Sequence, residues 1–317
     1  MGVKYSIVIP AYNSEKTIGE LVNKIEELFK NEVDFKDETH EIILINDASV
    51  DSTSKECREL AGKNDNIIFL DLSKNFGQHN AILAGFHYVS GEYIITMDDD
   101  LQNPPGEILK LLNKVNQGYD VVYGKYAQKK HSTARNWGSL INDKMAQIMI
   151  KKPKEIYFSS FRIIKRYVID EIIKYDAPFC YIDGLILRVT RNICMVEVVH
   201  SERKIGESNY NLFSLLKLWM NGFTSFSILP LRIATYSGFV FSFIGFIFIL
   251  FLLIMKFVTN VQLGWTSIMV AIVFFCGIQL ISIGLLGEYI GRIFMSINKS
   301  PQYIVKEVVK NKSIKLK

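Results

Sequence analysis

The sequence predicts an α/β chain: a doubly wound, mainly parallel sheet domain, followed by an amphipathic interfacial segment and a two-helix transmembrane hairpin. Three observations carry this reading. Over the first 210 residues, short runs of β-branched and aromatic residues alternate with segments of helical periodicity. Beyond Arg232 come two long stretches without charge. A chain of 317 residues that is 49% hydrophobic and 22% charged is also too apolar to be disordered. The boundaries expected are a sheet domain over 1–210, an interfacial segment over 211–232, membrane helices within 233–291 and a basic tail over 292–317.

Taken in order, the strands are Tyr5 to Pro10, Glu41 to Asn46, Ile67 to Leu72, Tyr93 to Met97 and Val121 to Tyr126, each bounded by turn residues. Helical patterns lie between them, from Thr17 to Phe29, Asp51 to Ala61, Gln78 to Val89 and Pro104 to Gln117. Asn103 before two prolines is a favoured helix start. Repeated βα units of this length imply a parallel sheet whose ligands bind beyond the C-terminal strand ends.

From Tyr210 to Phe226, Leu212, Phe213, Leu216, Trp219 and Phe223 share one side of a helix, which suits an interfacial segment or packing on the sheet domain. Ile233 to Met255 holds no charge, and its 23 residues span about 34 Å as a helix, against a hydrocarbon core of roughly 30 Å. After Lys256 the uncharged run resumes, and 264–287 forms the second span. Lys217, Arg232, Arg292, Lys299 and the tail are basic, whereas the connecting loop offers Lys256 alone. An inner or plasma membrane protein with the sheet domain and both termini in the cytoplasm is therefore expected. On that side the sequons at Asn298 and Asn311 meet no glycosylating enzyme. Gly287 and Gly291 form a GxxxG pair of the kind seen where membrane helices pack.

The net charge of +5 equals that of residues 299–317, with six lysines and one glutamate. The rest of the chain is balanced, which speaks against a nucleic-acid partner and suits a tail lying on anionic lipid. Cys57, Cys180, Cys194 and Cys276 are scattered and read as free thiols in a reducing compartment. The N-terminus shows no apolar run of signal length, and although it matches the loose myristoylation pattern, a buried first strand leaves Gly2 little freedom.

The polar residues collect at the strand ends: Pro10-Ala11-Tyr12-Asn13, then Asn46-Asp47, then Asp98-Asp99-Asp100. No GxGxxG follows the first strand, so a dinucleotide is not supported. Tyr12 can stack on a base, and Asp47 can accept hydrogen bonds from a base or ribose. Three consecutive carboxylates repel one another unless a cation sits among them, and oxygen ligands favour Mg2+ or Mn2+. Alternation in an extended segment lets Asp98 and Asp100 converge while Asp99 points elsewhere. The alternative is a solvated acidic turn before the next helix.

PAYN at Pro10 to Asn13, NDASVDST at Asn46 to Thr53, NFGQHNAILAGF at Asn75 to Phe86 and DDDLQNPP at Asp98 to Pro105 resemble the inverting family 2 glycosyltransferases of GT-A fold. Within that family they resemble the polyprenyl-phosphate glycosyltransferases, which include dolichyl-phosphate mannose synthase and bactoprenol glucosyltransferase. GQHNAILAGF, HSERKIGESNY at His200 to Tyr210 and LLGEYIGRI at Leu285 to Ile293 are most similar to undecaprenyl-phosphate formamido-arabinose transferase.

The resemblance implies transfer of a sugar from a UDP- or GDP-linked donor to the phosphate of a membrane polyprenol, for cell-envelope glycan or lipid modification. It places Pro10, Ala11, Tyr12, Asn13, Asp47 and Asp98 around the nucleotide, and Asp98 and Asp100 on the metal. Arg162, Arg203, Ser208 and Tyr210 fall on the acceptor-phosphate side, with Arg162 and Arg203 as catalytic candidates. Relatives of this architecture can form tetramers. Three positions depart from the family pattern: Ser160 where many relatives carry Asp, Asn209 where Lys is usual, and Ser14 between Asn13 and Glu15.

A phosphate monoester is largely ionised at neutral pH, so its attack needs little general-base help. Asp183 reads either as a base or as a turn cap beside Gly184; His79 and His200 read as phosphate or sugar contacts, or as structural residues. Two other functions fit the fold. A processive polysaccharide synthase is disfavoured because Trp137, Trp219 and Trp265 stand outside any Gln-x-x-Arg-Trp motif. A catalytically silent nucleotide-binding membrane scaffold is opposed by the intact Asp98 and Asp100.

Overall fold

The computed structural model describes residues 2–35, 38–126, 153, 155–177, 180–199, 201, 229–258, 264–298 and 301–311. His200, Arg203, Ser208, Tyr210, Lys217, Asn260 and most of the expected interfacial segment lie outside the described residues. The chain divides into two compact units, one formed by 1–210 with 299–317 and the other by 211–298.

The first unit is built on an eight-stranded sheet. In chain order its elements are β1 (Tyr5–Ala11), α1 (Ile18–Asn31), β2 (His40–Asn46), α2 (Thr53–Lys63), β3 (Ile67–Leu72), α3 (Gln78–Phe86) and β4 (Tyr93–Thr96). Next come α4 (Ile108–Val115), β5 (Val121–Tyr126), β6 (Arg162–Lys165), α5 (Arg166–Ile172), α6 (Ile182–Val189), β7 (Ile193–Val198) and finally β8 (Val305–Lys310). Strand order is β7-β5-β6-β4-β1-β2-β3-β8. The five expected strands are present, and β1 to β4 pair in parallel as expected. β1, β2 and β3 are buried almost throughout, as their near-continuous apolar runs require in a sheet covered on both faces. Helix α1 covers one face with Ile18, Leu21, Val22, Ile25, Leu28 and Phe29, spaced at three and four residues.

After β3 the chain returns to the far side of β1, so the order reverses between β1 and β4. Such a reversal is a topological switch point, and open α/β sheets bind their ligands in the crevice outside the carboxyl ends of the strands there. Helix α3 lies over β1 and β2 through Gly85, where an added Cβ would fall 2.7 Å from Val8 and 2.9 Å from Ile45. Glycine is thus what lets the helix press against the sheet.

Three strands were not expected: β6 runs antiparallel between β4 and β5, β7 pairs in parallel with β5, and β8 pairs antiparallel with β3. The last of these lies within the expected basic tail at 292–317. The segment Val305–Lys310 is an edge strand, reinforced by an Arg58–Glu307 ion pair and by Tyr303 against His87, with Tyr303 Oη 2.9 Å from His87 Nδ1. Val305 and Val309 are partly buried, with Val309 packed on the core, while Lys306 and Val308 are exposed and the charged residues keep the edge soluble.

The second unit contains α7 (Leu229–Val258) and α8 (Trp265–Ile297), helices of 30 and 33 residues. Both outrun the expected spans, and Arg292 lies inside α8, paired with Glu288 one turn earlier. The rings of Phe241 and Phe274 meet edge to face at 6.2 Å. Phe239, Phe243, Ile254, Ile281, Ile290 and Phe294 are exposed. Among the described residues, Phe274–Ile297 is long and apolar enough to cross a membrane, and Ala234–Ile247 is a shorter apolar stretch.

Candidate active site

The crevice at the switch point is framed by the segments after β1, β2, β3 and β4. Pro10 and Ala11 are buried within β1, so only Tyr12 and Asn13 of that expected group reach the surface. The loop is stitched to the one after β2: Asn13 N donates to Ser49 Oγ at 3.0 Å, Val50 N donates to Asn13 Oδ1 at 3.0 Å, and Ser14 N donates to Thr53 Oγ1 at 2.8 Å. Tyr12 N donates to Asp99 Oδ2 at 3.1 Å, which ties β1 to β4 across the switch point.

Asp47 was expected to accept hydrogen bonds from a nucleobase or ribose, and the structure places its carboxylate on two backbone amides. It is 4% exposed, and its two oxygens accept from Phe76 N at 2.7 Å and Gly77 N at 2.8 Å. Burial raises its pKa against the pull of those two amides. The carboxylate is a clamp on the turn before α3, where Gly77 holds a φ of 85°.

The three carboxylates after β4 turn to different partners. Asp99 turns toward Tyr12. Asp100 Oδ1 accepts from Gln102 N at 3.0 Å. Asp98 Oδ1 accepts from Gln78 Nε2 at 2.6 Å, and its Oδ2 accepts from the Ser160 hydroxyl. Burial pushes the Asp98 carboxyl up to about 6; the Ser160 hydrogen bond opposes this, and the charges of Asp100 and Asp99 add to it. Burial likewise raises Asp99. Among the described residues no group of three or more His, Cys, Asp or Glu side chains forms a closed metal cage. The donor set fits an Mg2+ or Mn2+ ion that takes one or two carboxylates from protein and the remaining ligands from phosphate and water. Each oxygen of Asp98 receives one donor here and keeps a lone pair.

Arg162 lies in a buried ion pair. Its expected place was at an acceptor phosphate, yet it is 1% exposed and ion-paired with Asp183. Its Nε donates to Thr96 Oγ1 at 3.1 Å, and its guanidinium lies 5.7 Å from the centre of the Tyr123 ring. Burial disfavours the charge, but Asp183 and Tyr123 outweigh it and raise the guanidinium pKa. Tyr123 Oη also donates to Asp183 Oδ1 at 2.9 Å. Asp183 sits in the first turn of α6. It is the counter-ion of a buried cation, which neither of its expected readings included. His79 is held neutral: burial lowers its pKa to about 4, its Nδ1 is buried without a partner, and its ring meets Tyr181 edge-on at 5.1 Å. It carries no charge to offer a phosphate at neutral pH.

Sequence reasoning missed Gln78 and the use made of Ser160. The signal for Ser160 was its departure from the family pattern, and β6 explains its position. Thr96 lies opposite Arg162 in the antiparallel pair, and two further steps bring Asp98 opposite Ser160.

Residues 6–173 match Glycosyl transferase family 2. The chain belongs to that family. Residues 229–293 match the GtrB C-terminal hairpin, which covers most of α7 and α8. The uncharacterized glycosyltransferase YkcC of Bacillus subtilis is 35% identical over 96% of this chain and 94% of its own. The undecaprenyl-phosphate 4-deoxy-4-formamido-L-arabinose transferase of Proteus mirabilis is 33% identical over 96% of this chain and 94% of its own. Among solved structures, glucosyl-3-phosphoglycerate synthase from Mycobacterium tuberculosis, in complex with Mn2+ and UDP-Glc, aligns with a TM-score of 0.47 at 19% identity, over 67% of this chain and 74% of that one. The family 2 match takes in nearly all of β1 through the whole of α5, and so includes the switch-point crevice and all three carboxylates.

Proposed function

We propose that this family 2 glycosyltransferase moves a sugar from a nucleotide sugar to the phosphate of a membrane polyprenol. One observation carries the reading: a family 2 domain and a GtrB hairpin follow one another in a chain that aligns over 96% of its length with an undecaprenyl-phosphate sugar transferase.

The crevice supplies the parts that such a transfer needs. Exposed Tyr12 offers a face for the donor base. An Mg2+ or Mn2+ ion held by Asp98 and Asp100 would stabilise negative charge on the departing nucleoside diphosphate. The acceptor phosphate is already ionised, so the chain has to position it rather than deprotonate it. With Arg162 committed to Asp183, that task falls to Arg203, helped by Ser208 and Tyr210.

Connectivity supports the expected topology. The chain leaves the sheet unit before 211 and returns to it by 299, and β8 is part of the same sheet as β1. An excursion that begins and ends in one folded unit crosses a bilayer an even number of times. Two helices give one crossing each, which keeps the sheet unit and both ends of the hairpin on one side. The basic residues flanking the hairpin make that side cytoplasmic.

The test is to incubate membranes holding the protein with undecaprenyl phosphate and a panel of UDP- and GDP-sugars, and to weigh the lipid product by mass spectrometry. A lipid heavier by one sugar supports the reading. Nucleotide binding without any glycolipid across the panel would favour a silent scaffold.

A further inference from the structure

We propose that Gln78 and Ser160 are positioning residues that together fix the Asp98 carboxylate for a divalent cation, an inference that rests on the metal-dependent transfer proposed above. The two donors come from segments far apart in the chain and take one oxygen each: Gln78 Nε2 reaches Oδ1 at 2.6 Å, and the Ser160 hydroxyl reaches Oδ2. A carboxylate held at both oxygens cannot rotate about its terminal torsion, which is otherwise broad. Both donors are neutral. A lysine or arginine in either place would hold Asp98 equally well but would also repel the incoming cation, whereas an amide and a hydroxyl orient the anion without neutralising it.

Each donor is itself anchored by buried chemistry. Gln78 opens α3, directly after Gly77, whose left-handed backbone is fixed by the Asp47 carboxylate through the amides of Phe76 and Gly77. Asp47 therefore acts on Asp98 through the turn that presents Gln78. On the other side the Ser160 carbonyl accepts from Thr96 Oγ1 at 2.5 Å, and that hydroxyl accepts from Arg162 Nε. The buried Arg162–Asp183 pair thus ends its reach at the residue that touches Asp98. Asp47 and Arg162 thus converge on one carboxylate by separate routes.

Partners that orient a metal ligand commonly contribute ten- to a hundredfold in metal affinity. The experiment titrates the full chain in detergent with Mn2+ alone, reading free Mn2+ by electron paramagnetic resonance, and records metal-free melting temperatures alongside. Gln78→Ala and Ser160→Ala are each expected to weaken Mn2+ binding about ten- to a hundredfold at an unchanged melting temperature, while Ser160→Thr, which keeps the hydroxyl, binds like the parent. Gln78 is exposed, so its truncation leaves the fold intact even if Ser160→Ala does not. If Asp98→Asn loses Mn2+ while both truncations bind it normally, the positioning role is wrong and the metal reading stands. If Asp98→Asn itself binds Mn2+ like the parent, the metal reading has failed first.

Discussion

Removing the Asp183 carboxylate tests whether the buried pair holds the fold or does the chemistry. In Asp183→Ala the Arg162 guanidinium, 1% exposed, would keep the Thr96 hydroxyl and the Tyr123 ring but lose its only described counter-ion. Tyr123 Oη would lose its acceptor as well. Breaking a buried pair from one side costs about 3–5 kcal/mol, because the surviving charge can neither reach water nor shed its proton. In a domain of this size each kcal/mol moves the melting temperature by about 2–4 °C, so the sheet unit should melt roughly 6–20 °C lower. Scanning calorimetry of the purified protein reads that transition. The double variant Arg162→Met with Asp183→Leu removes both charges and should recover most of the loss. An Asp183→Ala protein that melts within about 2 °C of the parent yet transfers no sugar would overturn the structural reading and return Asp183 to the chemistry.

Four further outcomes follow from particular contacts. Burial pushes the Asp51 carboxyl up, but donors from the Thr53 hydroxyl and amide and the Glu15 amide outweigh it and hold the pKa below its ordinary 3.8; its contribution to stability is therefore present above that value and lost as pH falls through the folded pKa, and Asp51→Asn should flatten the acid limb of a stability profile. Ending the chain at residue 300 strips β8 from the β3 edge and should lower the melting temperature and promote aggregation, measured by light scattering, whereas Glu307→Ala alone, at a half-exposed pair, should change stability by less than about 1 kcal/mol. Arg203→Ala should raise the polyprenyl phosphate needed for turnover, with a loss of about 1.5–3 kcal/mol, and leave nucleotide affinity by calorimetry unchanged. A cysteine placed at 260 should label from outside intact cells, and one at 317 should not.

The parts of the fold that were legible share one physical property: their side chains report burial directly. Ile42 to Ile45, or Ile67 to Leu70, are apolar on both faces because the sheet is covered on both faces, and no partner need be known to read them as strands. The order reversal between β1 and β4 is what the structure adds to those units. β8 is the opposite case. VKEVVK reads as tail because an edge strand carries its charge outward, and its partner β3 lies more than 200 residues earlier. β6 has four residues, too few to show a period.

The site failed to be legible for a different reason, since a carboxylate or guanidinium shows its charge in the sequence but not its partner. Asp47 and Arg162 both sit in motifs that suggest substrate, and both are consumed by neighbours: the amides of Phe76 and Gly77, and the carboxylate of Asp183. Backbone strain was equally hidden. Asn13, Ala48 and Leu101 take positive φ values of 55°, 54° and 61°, each just after β1, β2 or β4. Asparagine tolerates that region, but alanine and leucine do not favour it, and each such residue costs of order 1–3 kcal/mol. The strain persists because the loops are cross-linked, Ser49 N to Asn46 Oδ1, Val50 N to Asn13 Oδ1, and Gln102 N to Asp100 Oδ1. Relaxing Leu101 to an ordinary φ would swing Asp100 away from its amide partner and lift a side chain that is 8% exposed out of the core. The sheet therefore spends part of its own stability on keeping the ends of β1, β2 and β4 in the one arrangement that sets Tyr12, Asp98 and Asp100 around a common crevice.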